Sequence, residues 1–444
     1  MHQQLEGWAR EFGPYYRLRF GRRAVVVIAD HEATASALRD RPENFQRTSR
    51  MRMVGAEMGL LSGVFGAEGD TWRRQRRMVM AGFDPTHVRR YHPALVGVAQ
   101  RLAARWCRAV AAGQDIELQP DLMRFTVDAI AGLAFGAEVR TLDSDGDVIQ
   151  QHLDKIFPAL FKRMFSPLPL WRWFRTAEVR QLDRSIQAVN EAVAGFIAEA
   201  RSRLQADPDL RERPANLLEA MLVAADQPGS GIDDTQVAGN VLTMLLAGED
   251  TTANTLAWMI EQLWLHPEGL ARATEEVRRV VTDPAAPTME ELAQLDFVEA
   301  CAHETMRLKP VAPIVGLEAL KETVLGDVLI PAGGIIINLM RSHSVSDSHL
   351  PRAANFEPER WLDRGGPAAQ ASAAKRLSMP FGAGPRICPG RYLALLEMKL
   401  AMVTLLGRFE IENVSTPEGK QAAERLSFTM MPVGLRMRLR ERAS

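Results

Sequence analysis

A long helical segment runs from about Asp233 to His266, and it constrains the fold more than any other part of the chain. Asp233 or Asp234 can cap its first turn, and Pro267 ends it because proline cannot continue a helix. At 1.5 Å per residue such a helix is roughly 50 Å long, enough to cross a whole domain. We therefore predict a large, mainly α-helical domain organised around this segment.

The centre of this helix departs from ordinary helix composition. The stretch Ala247–Thr252 (AGEDTT) places a glycine, two acids and two threonines between apolar flanks. Glycine and threonine are poor residues for a helix interior, and buried acids are costly unless they serve a purpose. A kinked helix with a solvated face is one interpretation. The apolar flanks favour a buried functional site instead.

A glycine-rich loop at Phe381–Gly390 (FGAGPRICPG) surrounds Cys388. Its glycines let the backbone approach a flat ligand closely, and its two prolines stiffen the loop. A predicted helix follows at Arg391–Phe409, and its first N–H groups, together with Arg386, would stabilise a thiolate. A buried structural cysteine is the alternative. The whole ten-residue frame favours a thiolate that binds haem iron, which promotes O–O cleavage.

This loop matches the pattern F-x-x-G-x-R-x-C-x-G without mismatch, and the chain thereby resembles the cytochrome P-450 superfamily. Three further segments match in the expected order, so that the resemblance covers nearly the whole chain. It implies a mainly α fold with small β-sheets, in which haem b lies between the long central helix and the Cys loop. It further implies that Cys388 is the axial iron ligand and that Phe381, Gly382 and Arg386 contact the haem.

The first of these segments is Glu304-Thr305-Met306-Arg307, and the resemblance gives it a partner, Arg360. Glu304 and Arg307 are three residues apart and share a helix face. A solvated surface pair is the common interpretation of such spacing, but the position of this one before the Cys loop favours a buried network. We predict a structural role for the three residues, because bidentate ion pairs suit a fixed core geometry.

The second segment, Trp72–Arg76 (WRRQR), places Trp72 and Arg76 four residues apart on one helix face. By resemblance these two side chains contact the haem propionates, and a surface basic helix is the alternative. Many members of the superfamily carry another arginine for a propionate where this chain has Leu317. We therefore expect Trp72, Arg76 and Arg386 to neutralise the propionates.

The third segment is the centre of the long helix. By resemblance, Thr251 hydrogen-bonds dioxygen and Asp250 helps to deliver protons, which makes these two the predicted catalytic residues. A carboxylate and a hydroxyl group can relay protons through water. Their presence favours dioxygen activation over a haem protein without catalysis.

Other elements follow from local patterns. The remaining predictions are helices at 71–80, 93–112, 122–135 and 175–205, loops at 207–214 and 228–231, strands within 16–30 (turning at Gly21), 323–339 (turning at 331–334) and 425–439, and an irregular stretch at 365–378. We expect one haem domain over residues 1–444, with no fused reductase.

Charge and cysteine content limit the partners. Lys and Arg total 54 against 55 Asp and Glu, so that nothing indicates a nucleic-acid partner. Cys107, Cys301 and Cys388 are distant from one another, which fits a reducing compartment better than a disulfide framework. No apolar run approaches the ~18–20 residues that span a bilayer. We expect a soluble, cytoplasmic monomer.

The resemblance also implies a hydrophobic small-molecule substrate. It assigns pocket residues to Ala247, Val311, Ile314 and Met430, to the stretch before Trp72, and to the aromatic-rich segment 157–174, which could instead be core, a lid or a membrane contact. A likeness around Leu317–Gly326 to bacterial fatty-acid hydroxylases favours a fatty acid. Electrons would come from a ferredoxin or flavodoxin and its NAD(P)H-dependent reductase. Peroxide use, isomerisation, and haem or ligand binding without catalysis are the alternatives.

Overall fold

The structure is a computed structural model that describes residues 1–20, 23–83, 85–136, 139–144, 149–362 and 368–442. Most of the described chain is helical. Its helices are α1 (His2–Phe12), α2 (His31–Arg39), α3 (Ser49–Glu57), α4 (Gly69–Gly82), α5 (Pro85–Ala111), α6 (Leu118–Phe135), α7 (Ile149–Leu153), α8 (Ile156–Phe165), α9 (Ala177–Ala206), α10 (Asp209–Glu212), α11 (Leu217–Ala225), α12 (Asp234–Leu265), α13 (Pro267–Val280), α14 (Met289–Ala293), α15 (Asp296–Leu308), α16 (Ala368–Ser378) and α17 (Arg391–Arg408).

Twelve short strands form four small sheets in the described part of the chain. The strands are β1 (Tyr15–Phe20), β2 (Arg23–Ile28), β3 (Phe45–Arg47), β4 (Ile116–Glu117), β5 (Ile314–Ala319), β6 (Thr323–Leu325), β7 (Val328–Ile330), β8 (Ile335–Leu339), β9 (Phe409–Ser415), β10 (Glu424–Ser427), β11 (Thr429–Pro432) and β12 (Arg436–Glu441). The largest sheet has the order β1-β2-β8-β5-β3, and only the β2–β8 pair in it is parallel. The expected mainly α fold with small sheets is confirmed.

The long helix α12 is the centre of the fold. Asp233 caps it through a capping box with Gln236, and Pro267 begins the next helix. Helices α6, α15 and α17 pack around it, and Trp258 on it is fully buried. Burial on nearly every face explains why the sequence of α12 is apolar on both sides of its polar centre.

Most other predicted elements are present with shifted ends. The predicted helices correspond to α4, α5, α6, α9 and α17, and the predicted strands to β1 and β2, β6 to β8, and β10 to β12. Helix α5 starts eight residues early, at Pro85, and accommodates Pro93 in its interior. The Gly21 turn lies outside the described residues.

Two predictions of irregular structure are wrong. Within the predicted irregular stretch 365–378, residues 368–378 form α16, because alanine is the best helix former and dominates this segment. Ala374 and Leu377 bury one side of α16 against Leu350 and Trp361. The predicted loop 207–214 contains the single-turn helix α10. Small residues occur in loops and in helices alike, and in α16 alanine, the one with the highest helix propensity, predominates.

Among the described residues, no helix is long and apolar enough to cross a membrane.

Candidate functional site

The loop before α17 is shaped by glycines. Gly382 and Gly384 have φ angles of 76° and 69°, which only glycine adopts without strain. A Cβ atom on Gly384 would also lie 2.6 Å from the Cα atom of Arg39 in α2. The loop closes on itself where the N–H of Cys388 donates to the carbonyl of Phe381 at 2.9 Å. These constraints fix the backbone on both sides of the cysteine.

The Cys388 thiol lies among positive groups. Burial raises its pKa, while the backbone N–H of Gly390 and the guanidinium groups of Arg76 and Arg391 act in the opposite direction. Arg76 donates to the carbonyl of Ile387 at 2.7 Å, and Arg391 donates to that of Cys388 at 3.3 Å. Because burial outweighs these groups, the thiolate needs a further cation, which fits a metal ligand.

One face of α12 is open although the rest of the helix is buried. Ala247 is exposed, and Thr243, Gly248 and Thr251 are half-exposed, at spacings that place them on one stripe. The Thr251 hydroxyl donates to the carbonyl of Ala247 at 2.8 Å. Gly248 lets α6 approach, since a Cβ atom there would lie 3.2 Å from Ile130. The stripe is thus accessible in the middle of a helix whose central part is otherwise buried.

Both acids of the α12 centre are buried, so that the interpretation as a solvated face is wrong. Asp250 accepts from Asn254 Nδ2 at 2.5 Å and, closely, from the hydroxyl of Thr429. Burial raises the pKa of Asp250, and these two donors lower it. Glu249 hydrogen-bonds Asp154 after α7, and burial with the Asp154 charge raises the pKa of Glu249 well above its usual value. The two adjacent acids therefore differ, because hydrogen-bond donors favour the charged form of Asp250 whereas a second carboxyl group disfavours the charge of Glu249.

Glu304, Arg307 and Arg360 lie together in the core. Arg307 makes two bonds of 2.7 Å to the Glu304 carboxylate, and Arg360 Nε lies 3.3 Å from it. Trp361 Nε1 and the N–H of Glu357 complete its hydrogen bonds at 2.9 Å. All acceptor sites of this carboxylate are used, as a structural role requires. That role stays a prediction.

A second group of charges, around Glu68, is not balanced. Arg386 donates to the Glu68 carboxylate and stacks 4.7 Å above the ring of Trp72. Arg41 lies 3.8 Å from the same carboxylate, and the N–H of Arg47 donates to it at 2.8 Å. Burial and the charge of Arg41 lower the pKa of Arg386 to about 10. Burial and the charges of Arg41 and Arg386 lower the pKa of Arg47 well below its usual value.

This basic group requires further negative charge. Among the described residues, Arg386 Nε and Nη1 and Arg41 Nε are buried without a hydrogen-bond partner. Such donors are costly unless a ligand accepts from them. Arg47 pairs in register with Leu317, where the superfamily often has an arginine. The prediction from sequence omitted Arg41 and Arg47. Arg76 donates to the Cys loop, and its contact with a propionate, like that of Trp72, stays a prediction. The sequence feature that could have pointed to Arg47 is a charged residue at the end of the short strand β3.

Two of the four predicted pocket residues, Val311 and Met430, meet at the β10–β11 hairpin. The N–H of Met430 donates to the carbonyl of Val311 at 2.8 Å, and Trp258 of α12 donates to the carbonyl of Met430 at 3.3 Å. Ile314 begins β5 and pairs with Leu339. Ala247 lies on the open stripe of α12. Their contact with a substrate stays a prediction.

A half-buried thiol that its cationic neighbours do not fully stabilise as a thiolate, and arginines whose buried donors lack an acceptor, are complementary to a haem, which carries an iron and two propionates. The residues present therefore fit haem, and the fold and the site define a haem-thiolate protein.

Comparison with known proteins agrees. The cytochrome P450 family matches residues 1–438, and the chain belongs to this family. Cytochrome P450 734A6 of Oryza sativa subsp. japonica is 30% identical over 424 residues, covering 91% of this chain and 76% of that protein. Pentalenene oxygenase of Streptomyces avermitilis is 29% identical over 370 residues, covering 83% and 78%.

The bifunctional cytochrome P450/NADPH–P450 reductase 2 of Bacillus subtilis is 28% identical over 423 residues, covering 93% of this chain but 38% of that protein. A crystal structure of the cytochrome P450DA heme domain superposes with a TM-score of 0.84 at 25% identity, covering 100% of this chain and 93% of that one. The protein is a cytochrome P450 monooxygenase, and its cofactor is haem b.

Proposed function

We propose that this monooxygenase inserts one oxygen atom of dioxygen into a C–H or C=C bond of a hydrophobic small molecule and releases the other as water. The observation that carries this proposal is the open stripe of α12, on which half-exposed Thr251 directly follows the buried acid Asp250 in sequence. An accessible hydroxyl on the residue next to a buried acid is suited to proton transfer once the acid turns toward it.

Each group would have a separate task. Cys388 would hold the haem iron, and Arg47 and Arg386 would bind the propionates. Bound haem would supply an iron that binds dioxygen, and the Cys388 thiolate would donate electron density that favours O–O cleavage, while the reducing electrons would come from the redox partner. Thr251 would hold a proton donor or water at the open face, and Asp250 would resupply that proton. The core of α12 would keep bulk water from this step.

The substrate class follows from the lining of the pocket. Apolar and aromatic side chains with few polar anchors select a hydrophobic molecule by shape. Met430 and Ala247 belong to this lining, and three half-buried phenylalanines, Phe65, Phe157 and Phe428, contact one another near it. Together with the likeness around Leu317, this lining favours a fatty acid among the candidates.

We further propose that residues 1–444 act as one haem domain and as a monomer in the cytoplasm, with electrons from a separate ferredoxin or flavodoxin and its NAD(P)H-dependent reductase. The three free cysteines support a reducing compartment. Exposed basic residues beside the Cys loop, of which Arg77 on α4 is one, support an acidic partner.

Reconstitution tests the function. Purified holoprotein is mixed with a ferredoxin, its reductase and NADPH, and a panel of fatty acids, terpenoids and steroids is first screened by the shift of the haem spectrum. We expect product formation that depends on NADPH, and a Thr251→Ala variant that consumes oxygen with little product. Turnover that occurs only with peroxide and not with NADPH would contradict the proposal. So would the absence of turnover for every ligand that shifts the spectrum.

A further inference from the structure

The turn of the β10–β11 hairpin lies between two segments predicted to line the pocket. The Phe428 ring stacks on that of Phe157 in α8, with centroids 4.4 Å apart and planes at 13°. It also meets Phe65, before α4, edge to face at 6.1 Å. All three rings are half-buried. We call these three residues the aromatic cluster.

The residue after Phe428 reaches the α12 centre. The Thr429 hydroxyl donates to one oxygen of Asp250, and Asn254 Nδ2 donates to the other at 2.5 Å. Asn254 is itself held by Gln119 of α6 at 2.7 Å. Both carboxylate oxygens are therefore occupied by neutral donors, which keep the Asp250 side chain in one orientation.

The backbone at the turn is strained. Phe428 has a φ of 87°, which is unfavourable for a residue with a bulky side chain and persists only where the surroundings enforce it. Stacking on Phe157 provides that support. Two residues after Phe428, Met430 is anchored to Val311 and Trp258. A ligand that separates the stacked rings would therefore relax Phe428 and Thr429 while the rest of the hairpin stays in place.

We propose that Thr429 is a positioning residue that couples filling of the substrate pocket to release of the Asp250 carboxyl group. The inference rests on the proposed function. With the pocket empty, Thr429 holds Asp250 away from the open face. A substrate that displaces Phe428 from Phe157 draws Thr429 from Asp250, which can then turn toward Thr251 and deliver protons only when there is a substrate to oxidise.

Two other titratable groups face this part of α12. Glu249 and Asp154 share a hydrogen bond, and the charge of Asp250 contributes to raising the pKa of both, that of Asp154 to about 6. Because the three carboxyl groups influence one another, a titration observed in this region is assigned to Asp250 by mutating that residue. Because a hydroxyl that donates to a carboxylate stabilises the charged form, loss of the Thr429 contact should raise the pKa of Asp250.

Infrared difference spectroscopy of the holoprotein measures this directly. The band of the protonated Asp250 carboxyl group is identified by its loss in Asp250→Asn. We expect Thr429→Val to move the pH midpoint of that band upward by about one to two units, as for a hydrogen bond to a charged group. Thr429→Ser should restore the wild-type midpoint. Ser427→Ala, which removes the hydroxyl across the hairpin turn, should leave it unchanged.

Coupling to the pocket is tested with clotrimazole, a bulky azole whose binding the haem spectrum reports. It should raise the midpoint in the wild type and leave that of Thr429→Val unmoved. Equal midpoints in wild type and Thr429→Val, or equal azole shifts in both, would overturn the inference. NADPH-dependent turnover by the wild type is measured in parallel, so that failure of the proposed function is seen separately.

Discussion

Replacing Glu304 with glutamine would test how the buried ion network holds the fold. The Glu304 side chain is fully buried and accepts five hydrogen bonds, from Arg307 (two), Arg360, Trp361 and the backbone of Glu357. Glutamine keeps the shape but removes the charge. It also places an NH₂ donor where one oxygen had accepted, so that donors then face donors.

The expected magnitude follows from the burial. Removing one partner of a buried ion pair costs about 3–5 kcal/mol, because the other charges stay buried without compensation. A matched control lies nearby: Glu359 pairs with Arg272 at 2.7 Å, but the two side chains are 59% and 48% exposed. Solvent screens such a pair, so Glu359→Gln should cost less than about 1 kcal/mol.

The assay is urea unfolding of the holoproteins, followed by far-ultraviolet circular dichroism and by the haem absorption band. We expect Glu304→Gln to unfold at clearly lower urea than the wild type, with Glu359→Gln close to the wild type. If the two variants unfold at the same urea concentration, the carboxylate does not hold the core and the reasoning is refuted.

Three further predictions concern the cofactor, the loop and pH. Arg47→Leu should release haem to apomyoglobin about tenfold faster than the wild type, as for loss of a charged hydrogen bond; the same loss from exposed Arg52→Leu would contradict it. Gly384→Ala should weaken the thiolate–CO absorption band more than Gly382→Ala, because a Cβ atom at 384 meets the backbone of α2 whereas one at 382 meets nothing within 4 Å. Burial raises the pKa of Glu397 to about 8, so its contribution to stability is full below the unfolded value near ~4.3 and is lost as pH rises toward 8. The free energy of unfolding of the wild type should fall by up to about 1 kcal/mol per pH unit between pH 5.5 and 8, whereas Glu397→Gln should remove that dependence. Urea unfolding at several pH values measures it, and an equal fall in the two proteins would exclude this role of Glu397.

Local sequence patterns predicted much of the fold because its main elements are locally encoded. The capped, proline-terminated α12 is visible in the sequence, and so are the turns around β7 and β8. The prediction of irregular structure for segment 365–378 was wrong because small residues are compatible with both loops and helices. The helix propensity of its alanines and the packing of Ala374 and Leu377 against Trp361 together favour the helix.

The site was predictable where residues lie within one segment. Cys388 and its glycines could be found together, as could Asp250 and Thr251. Arg47 and Thr429 could not, since each acts across elements far apart in sequence: Arg47 lies in β3 beside a distant strand, and Thr429 lies 179 residues from the acid that it contacts. Spacing along the chain carries no information about such pairs.

Three carboxylates with little exposure, Glu304, Glu68 and Asp250, differ in the hydrogen-bond donors that surround them. Glu304 meets two guanidinium groups, and its hydrogen bonds are complete, so the arrangement gains nothing from a ligand. Glu68 meets two guanidinium groups and the backbone N–H of Arg47, and donors on Arg386 stay unmet, so the arrangement favours a further anion. Asp250 has two neutral donors and no compensating cation among its described partners. Of the three it alone has no guanidinium neighbour among the described residues, and such a carboxyl group is what the proposed proton delivery by Asp250 requires.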